Sequence, residues 1–121
     1  MSQLCDIESV NEAFLLARDQ FETMIYQLHS DPTAHMEHDQ VEALIKKLGI
    51  ELMRLLFQGH LNVRSKREVR MESVEGIDGI VRTHCRENCE RNLMSEFGQV
   101  VVRRKGYSVR GVASLFPLDK E

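Results

Sequence analysis

The chain has 121 residues, 42% hydrophobic and 29% charged, with a formal net charge of −3; this suits one modest folded domain and excludes a disordered chain. Two prolines and seven glycines exclude a low-complexity linker, and no apolar run approaches a membrane span. The charge is uneven: residues 1–62 carry 4 Lys/Arg against 10 Asp/Glu, whereas residues 63–116 carry 11 against 7.

The first half reads as helix. Ile7, Val10, Phe14, Ala17, Phe21, Met24 and Leu28 recur at spacings of three and four, which places them on one helical stripe. Asp6 or Ser9 is placed to cap its start, and Ser9 with Glu12 has capping-box spacing. Asp31-Pro32 is expected to stop it, because a residue before proline avoids the α region. A second helix is expected from Asp39, with Glu42 completing a box, on Val41, Ile45, Leu48, Leu52 and Leu55. Leu44, Leu56 and Phe57 widen that face. Gly49 and Gly59 weaken the helix yet allow close approach of another backbone. Val63 keeps the spacing, so the helix is expected to continue to about Glu68. Two such helices joined by a short polar segment form an antiparallel hairpin, assigned to 1–68. The same heptad-like stripe is suited to a homodimer through the N-terminal helices.

The second half, 69–121, changes period. Asp78-Gly79 between Ile77 and Ile80 is a two-residue hairpin signal. Two strand-like runs flank Phe97-Gly98. Val100, Val102 and Arg104 share one face, and Gln99, Val101 and Arg103 the other. The strand is expected to be buried on both sides near the turn and exposed toward its cationic end. The fold class is α+β: a helical hairpin followed by a small antiparallel β-meander.

Three cysteines, Cys5, Cys85 and Cys89, fit a reducing compartment better than a disulfide scaffold. The start MSQLCDIESV has neither the basic nor the apolar region of a secretory signal, so a cytoplasmic protein is expected. His84, Cys85 and Cys89 offer soft ligands, but the Cys-x-x-x-Cys spacing lacks a second ligand pair, and ordinary strand residues account for them. His35 and His38 suit a polar interhelical loop. There is no P-loop, no dinucleotide fingerprint and no nucleophile with its base in context. No catalytic or metal-binding residue is assigned.

The cations remain. Arg64, Lys66, Arg67 and Arg70 follow the second helix, and Arg103, Arg104, Lys105 and Arg110 surround Tyr107. Arginine forks bind phosphate through paired hydrogen bonds, and a tyrosine among them suits stacking on a base or sugar. Cations that protect a sheet edge from aggregation explain the same residues equally well.

The stretches GIELMRLLFQGHLNVR, EGIDG and FGQVVVRRKGYSVRG leading into LFPLD resemble, in combination, the N-terminal region of bacterial insertion-sequence transposases of the ISKra type. The resemblance covers about residues 40–121 and the first helix only loosely. It implies a longer polypeptide, continuing into a helical region and a DDE-type catalytic core that binds divalent metal, Mg²⁺, and moves DNA ends. It therefore implies a truncated, frameshifted or deliberately cut reading frame with no active site of its own. On this reading the nine basic and aromatic residues just named meet the terminal repeats of the parent element. The alternatives are a non-catalytic assembly module and an inactive remnant of a disrupted element.

Overall fold

In the computed structural model the described residues are 8 and 10–120. Cys5, Asp6, Ile7 and Ser9, and with them the predicted start of the first helix, lie outside these. The chain is mixed helix and sheet. It forms two compact units, one of Met1–His60 with Leu93–Val100 and one of Leu61–Asn92 with Val101–Glu121. These cut the chain differently from a division at residue 68, because the long helix and both long strands run from one unit into the other.

The first unit holds α1 (Leu15–His29) and α2 (Asp31–Ala34). Residues 8 and 10–13 are also helical. Phe14 departs from helical geometry at φ −115°, ψ 17°, although Val10 O to Phe14 N and Phe14 O to Arg18 N bonds continue across it. The first helix stops at Ser30, one residue before the predicted place, with ψ 157°. Ser30 Oγ and Thr33 Oγ1 both donate to the Gln27 carbonyl, at 2.6 and 2.5 Å. Pro32 then opens a one-turn helix, where its missing N–H costs nothing.

Helix α3 is His38–Arg67, close to the expected span. Its cap lies two residues ahead of the Asp39–Glu42 pair. The Glu37 carbonyl accepts from Val41 N at 3.0 Å, and Gln40 Oε1 accepts the Glu37 N–H at 3.0 Å, the return arm of a capping box. Within the first unit α3 runs antiparallel to α1: Phe14 lies against Gly59, and Gln20 Nε2 donates to Leu48 O at 3.1 Å. Gly59 is needed there. A Cβ on it would stand 2.6 Å from the Phe14 ring and 2.8 Å from the Ala13 carbonyl oxygen. The hairpin tip belongs to the same unit. Ser95 Oγ donates to Gly98 O at 2.6 Å and accepts from Phe97 N at 3.2 Å. Gly98 takes φ 120° beneath the Arg54 side chain, a conformation open to glycine.

The expected α+β class holds, its antiparallel part being two two-stranded sheets rather than one continuous meander. Strands β1 (Val74–Glu75) and β2 (Val81–Arg82) pair antiparallel, Val74 with Arg82 and Glu75 with Val81. The turn is longer than the predicted Asp-Gly pair. Gly79 N bonds to Gly76 O at 3.0 Å and Gly76 N to Ile80 O at 3.1 Å. Ile77 and Asp78 thus occupy the turn, and Gly79 follows at φ 77°, the left-handed residue that re-enters the strand. Strands β3 (His84–Ser95) and β4 (Gly98–Ser108) form the second sheet. A single antiparallel bridge joins Tyr107 to Leu115.

In β4, Val100, Val102, Arg104 and Gly106 alternate inward, the period-2 pattern expected of a strand. The predicted exposure of the cationic end does not hold. Arg104 is 7% exposed and Tyr107 0%, because Phe116, Asp119 and the Leu115 bridge cover that end of the strand. No helix is long and apolar enough to cross a membrane among the described residues.

Candidate nucleic-acid interface

The second unit carries most of the chain's cations. Its residues hold 12 Lys/Arg against 8 Asp/Glu, whereas those of the first hold 4 against 11. The nine residues singled out in the sequence all fall in the second unit, and the structure sorts them into three groups.

Arg104 and Tyr107 are interior. Arg104 Nη1 donates to the Cys89 carbonyl at 2.9 Å, and the guanidinium stacks 4.1 Å from the centroid of Phe116. Its Nε lies 3.3 Å from Asp119 Oδ1, close enough to attract. Neither atom, however, makes an aligned hydrogen bond among the described residues. The pair is therefore held by charge and stacking more than by a directed bond. The Tyr107 hydroxyl accepts the Met71 N–H at 2.8 Å, and its backbone exchanges two 2.7 Å bonds with Leu115. Burial pushes the Tyr107 phenol up from its ordinary pKa. Both side chains are structural in this conformation, and neither offers a face to DNA.

Arg103 and Lys105 lie on the opposite face of β4, half-buried. Arg103 Nη1 reaches Asn62 Oδ1 at 3.4 Å, and its Nε stands 3.8 Å from Glu90 Oε1. The Lys105 backbone N–H is held by Glu68 Oε1 at 2.7 Å. That contact fixes β4 against the end of α3, and Glu68 Oε2 is buried without a hydrogen bond among the described residues.

The third group is outward. Lys66, Arg67, Arg70 and Arg110 are exposed and Arg64 half-buried. Arg64, Lys66 and Arg67 occupy the last turn of α3, where cations complement the negative end of the helix dipole. Arg64 and Arg67, one turn apart, line a hollow of about 310 Å³ with the acidic Glu68 and with Val69, Met71, Pro117 and Leu118. Cations beside apolar surface can meet a phosphate and the sugar next to it. Arg70 lies beyond the helix end and Arg110 in the loop after β4.

Arg82 was missed. It is 2% exposed. It grips Asp78 at 2.9 and 3.2 Å, Ala113 O at 2.7 Å and Ile80 O at 3.0 Å. The available signal was the Asp-x-x-x-Arg spacing across the turn. The Arg82 guanidinium, with the Ile80 N–H, holds the Asp78 carboxyl down to about 2.

Cys85 and Cys89 are free and half-buried on β3, and Cys89 Sγ faces the Arg86 carbonyl at 3.7 Å. Among the described residues, no three His, Cys, Asp or Glu side chains converge to hold a metal ion. No family model, curated protein or solved structure matches the chain.

Proposed function

We propose that this chain is the DNA-end-recognition module of an insertion-sequence transposase of the ISKra type, acting in the cytoplasm during DNA transposition. The reading is carried by the joint occurrence of GIELMRLLFQGHLNVR, EGIDG and FGQVVVRRKGYSVRG in one short chain. The segregation of charge supports it, because a unit with 12 cations to 8 acids attracts a phosphate backbone. The outward Lys66, Arg67, Arg70 and Arg110, with Arg64 at the hollow, take the phosphate contacts. Arg103 and Lys105 add charge from β4. Arg104 and Tyr107 hold the β4 end that carries them. Phosphate contacts of this kind set register on the duplex rather than read bases.

The test is a gel shift with a duplex of the parent element's terminal repeat, beside a scrambled duplex of equal length. Tighter binding to the repeat, weakened by Arg67→Ala and Arg70→Ala, supports the reading. Equal binding to both duplexes would leave only general DNA affinity, and no binding would remove the proposal.

A further inference from the structure

We infer that the groove between α1 and α3 docks a second copy of this chain, so that two helical hairpins close a four-helix bundle. In the first unit α1 and α3 form a two-helix layer, with the hairpin tip against α3 at Arg54, and such a layer covers only one stripe of α1. Ala17 is the only buried residue described in α1. On the open side a groove of about 580 Å³ runs between the helices, lined by Val10, Phe14, Ala17 and Phe21 with Leu52 and Leu56 of α3. Phe21 remains 52% exposed, Val10 47% and Leu56 46%. A contiguous apolar groove of this kind marks an interaction face.

Charge on the rim selects a second copy as the occupant. Arg18 and Glu22 line the same groove and are exposed. They stand one helical turn apart on α1. A two-fold axis passing between them places each Arg18 against Glu22 of the other copy, twice per dimer, as an isologous interface requires. A partner helix of one charge sign would satisfy only one of the two. The first unit carries 4 Lys/Arg against 11 Asp/Glu, so two copies repel at long range. At an ionic strength of about 0.15 M that repulsion is screened beyond ~8 Å and the rim pairs are not.

The test is sedimentation equilibrium on the whole chain at near-physiological salt. The wild type sediments as a dimer. Arg18→Glu and Glu22→Arg each weaken it about tenfold or more, since each creates two like-charge contacts. Mixing the two variants restores a dimer as a heterodimer, because every rim contact is again opposite in sign. Phe21→Asp gives monomers with an unchanged far-ultraviolet circular dichroism spectrum. The charge variants lie on the surface, so they decide the matter even if Phe21→Asp fails to fold. A wild-type monomer throughout the range, a dimer indifferent to both charge variants, or a mixture that stays monomeric would each overturn the proposal. A monomer that instead binds lipid vesicles would overturn it as well.

Discussion

The Met71 amide donates to the Tyr107 hydroxyl across 2.8 Å, so the segment after α3 is tied to the end of β4 by a buried phenol. Tyr107→Phe removes the acceptor and leaves the packing, and a loss of about 1 kcal/mol in urea unfolding is expected. The phenol itself is pushed up by burial. A raised folded-state pKa means that its contribution to stability is complete below the ordinary value of about 10 and is lost as pH rises above it. Absorbance at 295 nm should show a tyrosine ionising above that value and cooperatively with alkaline unfolding. A Tyr107→Phe chain as stable as wild type would refute the role of the bond.

The Asp78–Arg82 pair gives the opposite pH dependence. Asp78 titrates near 2 instead of 3.8, so its contribution is complete above 3.8 and is lost as pH falls through about 2. Amide resonances of Ile80 and Arg82 should move in that window. Asp78→Asn should abolish the movement while preserving the turn. A transition of Ile80 and Arg82 centred near 4 in the wild type would contradict the pairing.

Two glycines in one helix should respond with opposite signs. A Cβ on Gly49 meets nothing within 4 Å, so Gly49→Ala should stabilise by about 0.8–1 kcal/mol through helix propensity. Gly59→Ala gains the same propensity but drives its Cβ to 2.6 Å from Phe14 and 2.8 Å from the Ala13 oxygen. The ring can move and the backbone oxygen cannot, so a net loss of about 1–3 kcal/mol is expected. Thermal unfolding of both variants decides it, and stabilisation by both would mean that the helices do not approach as described.

Arg104 and Arg67 should separate stability from binding. Arg104→Ala leaves Asp119 to the more distant Arg91, 3.9 Å away, and opens space beside Phe116, for which about 2 kcal/mol is expected. Arg67→Ala, at an exposed position, should leave the unfolding midpoint within about 0.5 kcal/mol of wild type and weaken DNA binding. If Arg104→Ala left stability intact, the interior role of Arg104 would be untenable.

Helix α3 was legible because its apolar residues recur over a long span; its end at Arg67 falls one residue short of expectation, whereas its cap at Glu37 lies two residues ahead of Asp39. The alternation of Val100, Val102 and Arg104 was legible for the same reason. What the sequence hid was the direction in which charge faces. Nothing local marks Arg104 as interior and Arg103 as partly exposed. The difference arises from Phe116 and Asp119, which return to β4 from the end of the chain. Tyr107 is hidden likewise by Leu115 and Met71. Thr83 lies between β2 and β3 outside either strand, and the two antiparallel pairs stay separate, β1 with β2 and β3 with β4.

The salt dependence of binding to the terminal-repeat duplex tests the central claim most directly. Log K should fall linearly with log salt for the wild type, since each phosphate contact contributes about 0.9 to the slope. Arg67→Ala and Arg70→Ala should each reduce that slope by about 1, and Arg104→Ala, below its unfolding temperature, should leave it unchanged. Binding that ignores salt, or a slope that Arg67→Ala and Arg70→Ala leave untouched, would contradict the account.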